Sequence, residues 1–432
     1  MQNNVAIIGG GIAGLTSAAI LASNGVNVTL YEANPYLGGR ARGLTWKGTT
    51  LDNGQHIILG AYHQTLSLLS KLGIHEEEVL LRIPLQIHMQ DVYSLHANSL
   101  LPAPFHLLYG ILLAKGLSLK ERLSAILFMH RLQKIDYQLD QDITLLSLLK
   151  KQNQPSRLIK TLWEPICLAA LNTPPYLASA QVFLNVLKDS FSKAKNDSDM
   201  LLPKVDLTKM ISEPLALMIK NNGGKIHIKS AIKSISRIEN GFCLATENTT
   251  GSLYQFIVIA TSPHKTNELL AGLAGTESIQ AMINKLRFQP IYTAYFQFEK
   301  DVNLPQAMIG YSSGYCQWSF DRGTICGQHG LIAVVISAEG KHQEISHESL
   351  AKAVLEELQA HHPNLGEPQW TKIIAEKRAT FACSPRLARP DAITMIPNLY
   401  LAGDYTQGKY PATIEGAVQS GVECAHYILK SR

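Results

Sequence analysis

This 432-residue sequence predicts an α/β fold organised around a parallel, nucleotide-binding sheet. Three observations carry the prediction. An apolar run, Val5 to Ile8, leads straight into Gly9, Gly11 and Gly14. An apolar stretch of helix length, Ile12 to Asn24, is stopped by Gly25. A second apolar run, Val26 to Tyr31, ends on Glu32. Strand, glycine turn, helix, stop, strand and acid in that order form the βαβ fingerprint of a dinucleotide site. Gly9 permits the tight turn, Gly11 lets a pyrophosphate approach the backbone, and Gly14 lets the helix pack on the strand. The helix starts at Ile12 and Ala13, so its free N–H groups and positive dipole end face the phosphates. Glu32, followed by Ala33, stands where a carboxylate can bind ribose hydroxyls.

The next segments refine which dinucleotide. Gly38-Gly39-Arg40 and Arg42 follow within ten residues of Glu32. A second glycine pair with arginines suits closure over a diphosphate, because guanidinium offers planar, permanently charged donors. Leu51-Asp52-Asn53-Gly54-Gln55-His56 comes next. Far along the chain, Asn398 to Asp404 reads as a strand running into Gly403-Asp404. Pro411-Ala412-Thr413-Ile414-Glu415-Gly416 then opens a last helix, with proline in the first turn.

These pieces together resemble the two-dinucleotide-binding-domain flavoproteins of the amine oxidase and phytoene desaturase superfamily. The resemblance implies a GR2-like fold, with a discontinuous Rossmann-type FAD domain and an α+β substrate or cap domain. It implies FAD as cofactor. It places Gly54, Gln55 and His56 beside the isoalloxazine, and Gly403 and Asp404 beside the ribityl and phosphate part. It brings the backbone near Ile232 to the adenine. The helix opening at Ala412, Thr413 and Ile414 would lie near flavin N1 and O2, where its dipole stabilises the reduced flavin. Cys383 lacks the local sequence of flavin-tethering cysteines, so the FAD is expected to be non-covalent.

Two further stretches, Leu162 to Pro174 and Ala178 to Phe183, narrow the resemblance, together with Arg389-Pro390 before the final strand. They look like the squalene-associated, FAD-dependent branch of the superfamily, the hydroxysqualene dehydroxylases. That likeness spans essentially the whole chain. Tyr405 departs from it, since tryptophan is frequent there; both are flat aromatics. The branch implies that reduced flavin removes an allylic hydroxyl from a C30 isoprenoid, giving squalene for squalene and hopanoid synthesis. Two rivals share many of the motifs. A carotenoid desaturase would move hydride from substrate to flavin. A non-catalytic prenyl-binding carrier would keep the fold without the flavin.

The chemistry asks for a proton donor to the departing hydroxyl and a dry apolar tunnel. His56 is a candidate, because histidine titrates near neutrality. Tyr405 and Tyr410 are candidates from the flavin-side motifs. Glu164 is a candidate because a buried carboxyl keeps its proton to higher pH. Asn172 and Thr173 are candidates to orient the hydroxyl. Asp52 reads mainly as a support for the glycine turn.

Organisation follows from the motifs. Residues 1–80, 205–270 and 385–432 are expected to form the FAD domain, and 81–204 with 271–384 the substrate domain. Gly223 to Ile228 reads as a turn and strand. Ala231 to Ile238, Gly241 to Thr246 and Tyr254 to Ala260 read as an antiparallel meander. Phe105 to Ile135 reads as an apolar helix pair edged by Lys115, Lys120, Arg122, Arg131 and Lys134, which suits either an ordinary buried helical layer of the cap or contact with a membrane surface.

Composition bounds the rest. The chain is 46% hydrophobic and 17% charged, against roughly 25% charged in an average domain. Thirty-nine basic and 34 acidic residues leave a net charge of +5, too mild for nucleic acid, and no recognition motif for one is present. The six cysteines are scattered, with no C-x-x-C and no zinc spacing, so reduced thiols, no metal and a cytoplasmic setting are expected. No stretch of 18 apolar residues and no basic leader occurs, so no transmembrane helix or signal peptide is expected. One dinucleotide fingerprint leaves the electron donor unspecified.

Overall fold

The computed structural model describes residues 4–191, 193–246 and 250–431. Five strands form a parallel sheet in the order Lys225–His227, Asn27–Tyr31, Asn4–Ile8, Phe256–Ile259, Leu399–Leu401. Its three middle strands are apolar almost without break, because both faces are covered. Val5, Ile7, Val28, Leu30, Val258 and Tyr400 face the helices Ile12–Ser23, Glu213–Asn221 and Ile414–Lys430. Their neighbours Ala6, Ile8, Ile257, Ile259, Leu399 and Leu401 face the opposite cover. That cover is a three-stranded antiparallel meander, Ser234–Ile238, Gly241–Ala245 and Thr250–Tyr254, with the helices Pro263–Leu270 and Glu277–Asn284.

The register positions the site. Ile8 pairs with Tyr31 and Ile259, and Ile259 pairs with Leu401. Gly9, Glu32, Ala260 and Ala402 therefore leave the sheet along one edge, the carboxyl end, where ligands of open parallel sheets bind.

One expectation about this region is corrected. Tyr254 to Ala260 is not a single meander strand. Tyr254 ends the meander, and Phe256–Ile259 joins the parallel sheet beside Asn4–Ile8. The unbroken Phe-Ile-Val-Ile run is the physical reason, since a strand buried on both faces has no polar alternation.

A second, seven-stranded sheet takes its strands from Gln86–Met89, Tyr93–His96 and residues between 288 and 381. One face, with Tyr292, Ala294, Phe296, Val334 and Ile336, packs on the His347–His361 helix. The other, with Tyr295, Ala333 and Val335, packs toward the helices Phe105–Leu112, Leu119–Lys134, Leu145–Lys151 and Ala180–Phe191. A one-turn π-helix, Ile159–Trp163, runs directly into the Glu164–Leu171 helix. Among the described residues, no helix is long and apolar enough to cross a membrane.

Candidate flavin site

At the strand end, Gly9 has φ +114° and Gly10 donates its N–H to Glu32 Oε2 at 2.7 Å. Glu32 Oε1 accepts from the Asn34 amide and side chain. The carboxylate is thereby fixed against the turn while lone pairs remain for ribose hydroxyls. A Cβ on Gly9 would strike the Ala260 carbonyl, and one on Gly14 the Gly9 carbonyl. A Cβ on Gly11 would meet nothing within 4 Å. The protein therefore leaves space at Gly11, where a pyrophosphate must approach.

The second glycine loop closes this cradle. Gly38 N–H donates to the Gly10 carbonyl at 2.8 Å, and Gly11 and Gly38 form an isolated parallel bridge. Gly39 has φ +60°, and its Cβ position lies 3.3 Å from Gly11 Cα. Arg40 then reaches across the molecule. Its guanidinium donates to Asp404 Oδ1 and to the Ala379 carbonyl, each at 2.6 Å. Burial works against the Arg40 charge, but Asp404 outweighs it and the proton is held more tightly. The two motifs, 364 positions apart, are thus one site.

The Ile414–Lys430 helix brings its amino end to the same place. Thr413 caps it, accepting from Gly416 N–H at 3.0 Å. Ala412 holds φ +59° although it carries a side chain, and donates its N–H to the Asp404 carbonyl. Such backbone strain concentrates at functional turns. Glu415 is buried and accepts from Gln64 N, Thr65 N and Thr65 Oγ1, which pins the helix to its neighbour His63–Lys71. The sequence showed Glu415 only as part of a motif, not as this clamp.

On the third side lies the Asp52–His56 loop. Asp52 is buried, accepts from Leu207 N–H at 2.9 Å, and its pKa is pushed up to about 7 by desolvation. Tyr295 donates to the Asp52 carbonyl, and Gln55 Oε1 accepts from Arg322. No sequence signal marks Arg322, a buried arginine that also binds Gln328. His56 Nδ1 lies 2.6 Å from the Gly54 carbonyl. A carbonyl only accepts, so Nδ1 carries the hydrogen and Nε2 of the neutral ring is an acceptor. Burial lowers the His56 pKa, which disfavours the protonated form. A proton-donor role for His56 near neutrality is therefore not supported by its surroundings.

The other candidates separate. Tyr405 is buried, its hydroxyl sits 2.9 Å from Thr266 Oγ1, and burial raises its pKa. It packs in the core under the sheet, a setting that suits a structural residue rather than a free acid. Tyr410 donates to Asp189 Oδ2 at 2.7 Å; burial first, then Asp189, raises its pKa. With Tyr62 and Leu171 it lines a narrow crevice. Its hydroxyl hydrogen is committed to Asp189, which suits a wall residue rather than a free acid. Asn172 and Thr173 lie at the end of the Glu164–Leu171 helix, in a buried network. Asn172 binds the Pro290 carbonyl, Thr380 and Ala338 N–H, and Thr173 binds the Leu171 carbonyl and Cys383 N–H. Both are buried and their side-chain donors are committed to these partners, which makes them supports of the turn. Glu164 is half-buried after the π-helix; burial raises its pKa, with Lys160 opposing. Cys383 is buried and its thiol is pushed up to about 12, which makes it unreactive. Ile232 is buried in the core that includes the meander residues Ile235 and Phe242.

The cradle at Gly11, the Arg40–Asp404 pair, the ribose-competent Glu32 and the helix end at Thr413 fit FAD. Comparison with known proteins agrees. The pattern of the family "Flavin containing amine oxidoreductase" matches residues 12–429. The hydroxysqualene dehydroxylases of Sinorhizobium fredii and Rhodopseudomonas palustris are 25% and 27% identical, each over 99% of both chains. A 15-cis-phytoene desaturase from an Oncidium hybrid cultivar is 26% identical over 99% of this chain and 78% of its own length. Among solved structures, cyclohexylamine oxidase from Brevibacterium oxydans superposes with a TM-score of 0.74 at 16% identity, covering 100% of this chain and 99% of its own. An oxidoreductase from Methanosarcina mazei gives 0.75 at 17%, covering 98% and 100%. At such identities the structures speak for the fold alone. The chain belongs to the flavin containing amine oxidoreductase family, and it is an FAD-dependent oxidoreductase.

Proposed function

We propose that this protein reduces hydroxysqualene, an allylic C30 alcohol, to squalene, working at the cytoplasmic face of a membrane. The observation that supports the reading is the end-to-end likeness to two hydroxysqualene dehydroxylases, at 25% and 27% identity over 99% of both chains. The reaction replaces a hydroxyl by hydrogen. The carbinol carbon gains a hydride, the departing oxygen gains a proton, and water leaves. Reduced FAD supplies the hydride when bound.

The chain's own residues do the rest. Residues 1–80, 205–270 and 385–432 would hold the cofactor, with Gly9, Gly11, Ile12, Ala13 and Gly14 cradling the diphosphate, Gly38, Gly39 and Arg40 closing over it from the other side, and Glu32 and Ala33 at the ribose. Gly403, Asp404, Ala412, Thr413 and Ile414 meet the ribityl and ring, as do Gly54, Gln55 and His56. Ile232 meets the adenine. Residues 81–204 and 271–384 enclose the isoprenoid. Glu164 is the residue assigned to protonate the departing oxygen: it lies on the Glu164–Leu171 helix, two turns before the crevice residue Leu171, and burial raises its pKa. The reductant comes from outside the chain.

The test is anaerobic. Photoreduced protein is mixed with hydroxysqualene while flavin absorbance and squalene are followed. Stoichiometric reoxidation with squalene is expected. A flavin that stays reduced, together with hydride uptake from phytoene by the oxidised protein, would overturn the reading in favour of desaturation. Glu164→Gln should lower kcat by about 100-fold or more with little change in KM. Because the protonated carboxyl is the active form, wild-type activity should fall as pH rises through the raised Glu164 pKa, and the variant should lose that alkaline limb.

A further inference from the structure

The Phe105–Leu112 and Leu119–Lys134 helices each have two apolar faces. The inner faces, with Leu107, Ile111, Ala125, Phe128 and Leu132, are buried in the core. The outer faces are not covered. Phe105, Tyr109 and Leu113 are 58%, 44% and 53% exposed, and Leu119, Leu123 and Leu127 are 64%, 46% and 52% exposed. Both sets recur every four residues, so each forms one stripe along its helix. Leu100, just before the first helix, is 90% exposed.

The charge around the stripes has one sign. Residues 99–135 contain Lys115, Lys120, Arg122, Arg131 and Lys134, and their only acid is Glu121. Glu121 is buried, bound to Ser118 and paired with Arg157 at 2.8 Å. The segment thus carries five basic residues against one buried, paired acid. The geometry is held firmly. Arg122 donates to the Leu112 and Leu117 carbonyls, tying the end of one helix to the start of the next.

We propose that this face docks on an anionic lipid bilayer. The docking surface rests on the reading above only for its substrate. Apolar stripes with a basic rim fit the boundary between acyl chains and anionic headgroups. A second copy of the chain fits poorly, since two-fold pairing would set basic rim against basic rim. The face is also connected to the site. His106, on the inner side of the first helix, lies 3.0 Å from Ser198 Oγ, and Lys195 Nζ donates to the Ser99 carbonyl. The same segment accepts Gly60 N–H at Asp199 and Ala61 N–H at Asp197. Leu59 and Tyr62, flanking that turn, line the crevice with Tyr410. The lipid-facing helices and the crevice wall therefore share one supporting segment.

Flotation of the full flavoprotein with phosphatidylcholine vesicles, with and without phosphatidylglycerol, tests the proposal. Binding to the phosphatidylglycerol vesicles is expected, weakening as salt is raised. Leu113→Glu with Leu119→Glu should reduce binding at least tenfold, with flavin absorbance and turnover of detergent-dispersed hydroxysqualene retained. Lys115→Glu with Lys120→Glu should abolish the preference for phosphatidylglycerol. Wild-type protein that stays unbound at low salt, or a double leucine variant that floats like wild type, would overturn it. So would a solution dimer that the leucine variant splits into monomers. Normal flotation by a wild type that makes no squalene would leave the docking surface standing and remove the reaction assigned above.

Discussion

Gly11 and Gly14 stand three residues apart and are needed for opposite reasons. A methyl on Gly11 would touch no protein atom, whereas one on Gly14 would run into the Gly9 carbonyl. Gly11→Ala should therefore leave the apoprotein's melting temperature nearly unchanged and strip the purified protein of its yellow colour. Gly14→Ala should destabilise the apoprotein itself by about 1–3 kcal/mol, as overpacking does. Calorimetry of the two apoproteins, beside their flavin content, separates these outcomes. Asp52 adds a dependence on pH. Its pKa rises from 3.8 to about 7 on burial, so the folded state binds more protons than the unfolded one. Its contribution is favourable at low pH and is lost as pH rises from about 4 through 7, at about 1.4 kcal/mol for each pH unit. Asp52→Asn keeps an acceptor for Leu207 N–H and should flatten that part of the stability profile in urea titrations. Tyr405→Phe should cost about 1 kcal/mol of stability, the typical value of one hydrogen bond, and leave turnover intact.

At the scale of elements, the Arg40–Asp404 pair joins a loop after the second strand to the turn before the last helix. Arg40→Ala should weaken FAD binding by about ten- to a hundredfold, in keeping with a charge-assisted hydrogen bond of roughly 1.5–3 kcal/mol, measured by titrating the apoprotein with FAD. Such elements differ in how readable they are. The glycine turns and caps were legible because short-range sterics and unpaired N–H groups fix their residue types locally. The split at Gln255 was not, because only the partner strand decides that Phe256–Ile259 leaves the meander for the parallel sheet. Asn172 looked available as a polar group beside the subfamily stretch, yet its partners lie 117 to 208 positions away. Tyr405 similarly belongs to Thr266, 139 positions upstream. Distant pairings of this kind leave no periodic or compositional trace.

At the scale of the whole molecule, the parallel sheet and the seven-stranded sheet meet at one ligand edge. The parallel sheet presents Gly9, Glu32 and the turn to Asp404, and the long Trp370–Phe381 strand of the other sheet supplies the Ala379 carbonyl that fixes Arg40. The Phe105–Leu112 helix is tied to the 195–199 segment, which also backs the crevice. The order of strands in the parallel sheet has a further consequence. Its outermost strand, Leu399–Leu401, and the helix that covers its inner face are the last elements to be synthesised, while its central strand is the first. On the ribosome, the sheet begun by Asn4–Ile8 must wait for about 390 residues before its edge strand is made, roughly 20–80 s at about 5–20 residues per second. During that interval the apolar halves of Ile12–Ser23 have no Ile414–Lys430 to pack against. The nascent chain is then a substrate for holding chaperones, and a ribosome stalled before residue 399 would release a polypeptide unable to keep flavin.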